Sequence, residues 1–177
     1  VDIHLKGLEK MGAIIDIEGG YIKAHTEGLR GAHITLSFPS VGATENLMMA
    51  AVWAQGETII ENAAREPEIE DLANFLKALG IKVEGAGTSK IVILGQDLNT
   101  YTPKDNVEYE IIGDRIEAAT YVVAGLMTQT EITVEGINPE NIRKVIDVLF
   151  EMGAKLEVSE GSIKTFPSSG LKGVNFE

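Results

Sequence analysis

Three stretches of this chain read alike, and that repetition constrains the fold more than any other feature. They run from Leu8 to Lys23, from Leu76 to Ile93 and from Leu149 to Lys164. Each begins as the apolar end of a helix and then meets a glycine: Gly12, Gly80 or Gly153. Glycine directly after a helix enters the left-handed conformation without a Cβ penalty, so each is the expected stop signal. An alternating run follows, such as Ala13 to Ile17, then a glycine turn and a second short run. That pattern is a β-hairpin. The glycines recur about every 70 residues, longer than the period of common solenoids.

The segments between the hairpins also correspond. In the first full copy, Ile34–Ser37 is expected to be a strand, Val41–Ala54 an apolar helix, Glu57–Glu61 a strand and Pro67–Leu79 an amphipathic helix. In the second, Val107–Ile112 is expected to be a strand, Arg115–Met127 an apolar helix, Glu131–Glu135 a strand and Pro139–Met152 a helix. The unit is βαβαββ, and the fold class is α/β (α+β). Pro67 and Pro139 suit a first helical turn, where a missing N–H costs nothing. Leu72, Phe75, Leu76 and Leu79 share one helix face, as do Ile142, Val145, Ile146, Leu149 and Phe150. The first helix of each copy is apolar nearly all round, which predicts burial on all sides. Met48, Met49 and Trp53 then read as core filling. Gly95 to Glu108, with Asp97, Asn99, Thr100, Pro103, Lys104 and Asp105, reads as the connection between copies.

Composition narrows the chemistry. With 177 residues of which 44% are hydrophobic, the chain can bury a sizeable core. It has no cysteine, so disulfides and thiol nucleophiles are excluded. No apolar run approaches the roughly 20 residues that span a bilayer, and no export signal opens the chain. A cytosolic location without membrane contact is expected. The net charge of -12 repels phosphate backbones, so nucleic acid is not an expected partner. The acidic residues form no metal-loop pattern, and no cofactor is expected. Gly85-Ala86-Gly87-Thr88 lacks the third glycine and following helix of a dinucleotide loop.

Ser40 can cap the helix it precedes. That helix then points free N–H groups and a partial positive charge at whatever lies before it, which suits a phosphate. Read by itself, Ser40 is more often a simple cap of a buried helix.

The motifs Ser40-Val41-Gly42-Ala43-Thr44-Glu45-Asn46, Glu61-Asn62-Ala63-Ala64-Arg65-Glu66-Pro67-Glu68-Ile69 and Gly85-Ala86-Gly87-Thr88 resemble the UDP-N-acetylglucosamine enolpyruvyl transferases. Asp114-Arg115-Ile116-Glu117 and the opening Val1-Asp2-Ile3-His4 support the resemblance, which runs in order through the chain. The sister family of the shikimate pathway shares the repeat but looks different in these motifs. The resemblance implies an inside-out barrel type of fold, with two globules of three βαβαββ units each. Residues 1–112 would belong to the first globule and 113–177 to the second. It implies an enzyme that transfers the enolpyruvyl group of phosphoenolpyruvate to the 3-hydroxyl of UDP-N-acetylglucosamine, the first committed step of peptidoglycan synthesis.

The resemblance also implies where substrate contacts fall. Val1, Asp2 and Ile3 would lie beside the uracil. Phe38, Pro39, Ser40 and Val41 would lie beside the diphosphate. Some members carry a basic residue where this chain has Phe38, so the contact there would come from backbone and from Ser40. His4 would lie near the sugar nucleotide, and Glu66, Glu68, Asp114 and Arg115 would face the cleft. Asp114 would follow a hinge, where Gly113 replaces the usual proline. The reactive cysteine and the residues that clamp phosphoenolpyruvate would lie before Val1, and the aspartate handling the sugar proton beyond Glu177. No catalytic residue is therefore expected here, and the chain is read as an internal fragment that is inactive alone. The other reading is a stand-alone repeat domain that binds a nucleotide, or acts as a scaffold, without catalysis.

Overall fold

The three repeat glycines close three helices in the same way. In the computed structural model, which describes residues 1–97, 100–102 and 106–175, helices α1 (Asp2–Lys10), α3 (Pro67–Ala78) and α5 (Arg143–Glu151) run up to Gly12, Gly80 and Gly153. Those glycines have φ of 96°, 94° and 90°. The next N–H in each case turns back on the helix: Ala13 to Leu8 O at 3.0 Å, Ile81 to Leu76 O at 3.0 Å, Ala154 to Leu149 O at 2.9 Å. A hairpin follows each time: β1 (Ile14–Glu18) with β2 (Tyr21–His25), β5 (Lys82–Glu84) with β6 (Lys90–Leu94), and β8 (Lys155–Ser159) with β9 (Ser162–Phe166). Gly85 and Gly87 belong to the turn of the middle hairpin.

The chain divides into two compact units, Val1–Tyr109 and Glu110–Glu177. The first holds the full βαβαββ copy: β3 (His33–Thr35), α2 (Val41–Val52), β4 (Glu57–Glu61), α3, β5 and β6. Its sheet has the order β3-β4-β6-β5. β3 and β4 are parallel, because α2 crosses between them; the remaining pairs are antiparallel. Helix α2 packs against α1, α3, β4 and β6. Leu47 and Met48 of α2 are fully buried with Met11, Ile60, Ile69, Ile91 and Ile93. Burial of α2 is not complete: Met49 is 51% and Trp53 44% exposed, so of the three expected core fillers only Met48 is one.

The second unit contains α4 (Arg115–Thr128), β7 (Thr133–Glu135), a 3₁₀ turn Pro139–Ile142, α5, β8 and β9. The strand order β7-β9-β8 repeats β4-β6-β5 of the first unit. Three expectations fail here. Residues 107–112 form no strand. The Tyr109 hydroxyl donates to Asp71 Oδ1 at 2.8 Å, and its ring meets Phe75 edge-on, so this residue is tied to α3. Gly113 runs against the end of β7, where a Cβ would stand 2.1 Å from Gly136 O. The segment between them is not laid along β7 as β3 is along β4. Second, the single helix expected from Pro139 is split: the Asn138 side chain caps a 3₁₀ turn by accepting from Glu140 N–H, and Ile142 then leaves helical geometry at φ -126° and ψ 25° before α5 begins. Third, α4 buries Ala118, Val122, Gly125 and Leu126 but leaves Ile116, Tyr121, Val123 and Met127 on the surface. It packs on β7, β9 and the 3₁₀ turn, which cover one side only.

Candidate functional site

Ser40 opens α2 as its sequence position implies. Its backbone is extended, at φ -85° and ψ 120°, and its Oγ accepts the Ala43 N–H at 3.3 Å. That bond uses an oxygen lone pair and leaves the hydroxyl hydrogen free to donate outward. The Ser40 carbonyl accepts from the Thr44 N–H at 2.9 Å. The N–H groups of Val41 and Gly42 precede the first intrahelical bonds. No acidic residue stands in the first turn of α2, whereas α1, α3 and α4 carry Asp2, Glu68 with Glu70, and Glu117 there. The partial positive charge of α2 is thus not offset from within its own first turn. Phe38 and Pro39 form the approach to this end, with Phe38 57% exposed and the Phe38 carbonyl accepting from Ser40 N–H at 2.8 Å.

Helix α1, which begins at Asp2 after Val1 and carries Ile3 and His4 in its first turn, packs against α2. Gly7 lies at their meeting: a Cβ there would stand 2.5 Å from Leu47 Cδ2, so a larger residue would have to displace the buried Leu47 side chain. One turn before it, the His4 ring reaches α2. Its Nδ1 lies 3.0 Å from Asn46 Nδ2, and its Cε1–Nε2 edge faces Gly42. Val1 and Asp2 are exposed and Ile3 half-buried.

The loop before α3 is tied to the same helix end. Thr44, fully buried, donates from Oγ1 to Ser40 O at 2.8 Å and accepts from Ala64 N–H at 3.1 Å. Asn62, at φ 54°, donates from Nδ2 to Leu36 O at 3.0 Å. Glu66 stands at the N-cap of α3 but makes no cap bond; its carboxylate accepts the Arg65 N–H at 2.8 Å. Burial pushes the Glu45 carboxyl above its ordinary value, and the Glu68 carboxylate adds to the effect. Carboxylates from α2 and α3 thus sense one another.

The structure therefore gathers His4, Ser40, Val41, Glu66 and Glu68 around α2 and the loop that Thr44 ties to it. Asp114 and Arg115 belong to the second unit. Asp114 caps α4, its Oδ1 accepting from Ile116 N–H at 2.8 Å and Glu117 N–H at 3.1 Å. Of the remaining histidines, His33 pairs with Glu61 at 3.1 Å. Among the described residues no group of His, Asp or Glu could hold a metal ion, and no helix is long and apolar enough to cross a membrane. Sequence reasoning passed over Thr44 and Asn46. Thr44 had a signal, since a threonine four residues after a cap can bond back to its carbonyl. Asn46 had none, because its partner is 42 residues away.

A βαβαββ copy followed by a second αβαββ copy, with a serine-capped helix start in the first, defines an α/β protein built from repeats. The chain belongs to the EPSP synthase (3-phosphoshikimate 1-carboxyvinyltransferase) family, whose model matches residues 1–177. It is 48% identical over its whole length to the UDP-N-acetylglucosamine 1-carboxyvinyltransferase of Nostoc sp., of which it covers 40%. It is 47% identical to UDP-N-acetylglucosamine 1-carboxyvinyltransferase 2 of Clostridium tetani, of which it covers 41%. The chain thus spans about 40% of the length of these curated relatives. Among solved structures, the enolpyruvyl transferase NikO from Streptomyces tendae matches 95% of this chain with a TM-score of 0.76 at 21% identity, over 42% of its own length. An EPSP synthase from Acinetobacter baumannii matches 99% with a TM-score of 0.63 at 23% identity, over 41% of its own length. The structural likenesses bear on the fold. The resemblance read from the motifs agrees with the relatives at 47–48% identity.

Proposed function

We propose that this chain is the nucleotide-holding part of a longer cytosolic transferase. That enzyme would move the enolpyruvyl group of phosphoenolpyruvate to the 3-hydroxyl of UDP-N-acetylglucosamine for peptidoglycan synthesis. The names of the relatives at 47–48% identity support the substrates, and their greater length supports the larger parent. The observation that carries the chain's own role is the start of α2. There the Ser40 hydroxyl, the Val41 and Gly42 N–H groups and the His4 ring converge on a helix end with no acidic residue in its first turn. A diphosphate fits that chemistry, since backbone donors and a helix dipole both favour an anion. Val1, Asp2 and Ile3 are then the uracil contacts, and Phe38 and Pro39 flank the diphosphate. Glu66 and Glu68 of the first unit, and Asp114 and Arg115 of the second, would serve substrate binding in the parent. We assign no catalytic residue, cofactor, metal or nucleic-acid partner to this chain. Phosphoenolpyruvate is highly charged and needs several converging cations, which the described α2 end does not supply.

Two measurements test this reading. UDP-N-acetylglucosamine titrated into the ¹⁵N-labelled chain should shift the Val41 and Gly42 amides with a dissociation constant on the order of millimolar, about -4 kcal/mol. No shift at saturating nucleotide, with the chain folded, overturns the site. Phosphate release from both substrates by the chain alone should be undetectable; turnover would show that the chain carries catalytic groups and overturn the division of labour. Binding without turnover in the complete parent would instead support the nucleotide-binding repeat domain as the function.

A further inference from the structure

His4 and Asn46 meet where α1 packs on α2. Asn46 Nδ2 stands 3.0 Å from His4 Nδ1. An amide NH₂ group has hydrogens to give and no lone pair to offer, so it donates and Nδ1 accepts. A neutral imidazole that accepts at Nδ1 carries its proton on Nε2. The Cε1–Nε2 edge of the ring lies over Gly42: a Cβ built there would stand 3.6 Å from Cε1 and 3.9 Å from Nε2. Gly42 is the second residue of α2. The tautomer held by Asn46 therefore puts an N–H donor at the same helix end as the Ser40 hydroxyl and the first backbone N–H groups. The other tautomer would put a lone pair there, which repels phosphate oxygens.

We propose that Asn46 is a positioning residue: with its NH₂ group directed at His4 Nδ1, it favours the tautomer whose Nε2–H donates to an oxygen of the nucleoside diphosphate at the start of α2. This inference rests on the proposed nucleotide site. Asn46 itself does not touch the nucleotide. Its neighbours suit the role. Gly7 fixes the depth at which α1 sits on Leu47, one turn beyond His4. Thr44 ties the first turn of α2 through Ser40 O and Ala64 N–H. The ring and the helix end are thus held by separate contacts and cannot easily drift apart.

The test uses the full chain and UDP as the probe. Long-range ¹H–¹⁵N spectra of the imidazole distinguish the two tautomers directly. The unliganded chain should show Nε2–H at His4, and UDP should shift the Nε2 resonance along with the Gly42 amide. In Asn46→Asp the carboxylate only accepts, so the proton should move to Nδ1 in the neutral ring. Asn46→Leu should weaken UDP about tenfold, as for loss of one well-oriented hydrogen bond to a charged group. In the His4→Ala background the same substitution should change UDP affinity less than twofold, because Asn46 acts only through the ring. A wild-type ring protonated at Nδ1 overturns the inference whatever UDP does. Shifts at Gly42 without shifts at His4 overturn it while leaving the nucleotide site standing. Shifts at neither overturn both. An unchanged effect of Asn46→Leu when His4 is absent reduces Asn46 to a packing residue and overturns its positioning role. If either Asn46 variant fails to fold, the wild-type tautomer and its response to UDP still decide.

Discussion

Replacing Thr44 by valine isolates one buried contact with little change of shape. Thr44 is wholly buried, and its Oγ1 has two partners: it donates to Ser40 O at 2.8 Å and accepts from Ala64 N–H at 3.1 Å. Valine fills nearly the same volume, so the packing around this buried position is largely kept. Ser40 O also keeps an alternative donor, the Thr44 N–H at 2.9 Å. Ala64 is buried, and among the described residues Thr44 Oγ1 is the acceptor of its N–H. A buried donor left without a partner costs about 1–3 kcal/mol, so Thr44→Val should destabilise the first unit by about 2 kcal/mol. Thr44→Ser keeps the hydroxyl and loses one methyl, worth about 1 kcal/mol. The assay is urea unfolding followed by the fluorescence of Trp53, the single tryptophan, which lies in the first unit against Tyr101. Exchange of the Ala64 amide, slow in the parent and faster in the valine variant, reports the same bond locally. A valine variant within about 0.5 kcal/mol of the parent, or a serine variant less stable than the valine one, would refute the reasoning. The loop carrying Glu66 and Glu68 would then be held by something other than Thr44.

Three further outcomes follow from the same geometry. Ser40→Ala should cost about 1 kcal/mol of stability through the lost cap and, in the full-length parent, a further roughly 1.5–3 kcal/mol of UDP-N-acetylglucosamine binding; lost stability with unchanged affinity in calorimetric titration would leave Ser40 a cap alone. On α4, Val122 is fully buried and Val123 is 37% exposed, so Val122→Ala should lower the melting temperature by the equivalent of about 2 kcal/mol while Val123→Ala changes it little. Similar losses at both positions would contradict the one-sided packing of α4. The Glu45 carboxyl is raised by burial and then by Glu68, so the folded chain holds that proton more tightly than the unfolded one. Stability from this group is fully present below the unfolded value near 4.5 and declines as pH rises through the higher folded value. Glu45→Gln should therefore remove that decline and be the more stable protein at pH 7, as read from unfolding midpoints across pH 4 to 7; a variant with the parent's pH profile would show that Glu45 is not the responsible group.

Much of the first unit was legible in the residues because its signals are local. A glycine after an apolar run ends a helix whatever surrounds it, and Gly12, Gly80 and Gly153 do so with the same return bond. Ser40 before Val41 and Asp114 before Arg115 cap helices because the side chain reaches only two or three residues along its own backbone. Pro67 begins α3 for the same short-range reason. The candidate nucleotide residues were legible through their motifs, although what those motifs hold together was not.

What the sequence did not decide was everything that depends on a partner far along the chain. Val107 to Ile112 alternates as a strand should, yet Tyr109 is bound to Asp71 and the segment forms no strand. The apolar surface of α4 announces burial on all sides, but burial needs neighbours, and β7, β9 and the 3₁₀ turn cover only one. His4, read by itself, has no tautomer. Only the approach of α1 to α2, with Gly7 against Leu47, brings Asn46 Nδ2 to its Nδ1 and so bears on which nitrogen carries the proton. Propensity and capping act over one helical turn and are written in consecutive residues. The pairing of strands, the covering of a helix and the direction of a proton are set by residues tens of positions apart, and these meet only when the chain has folded.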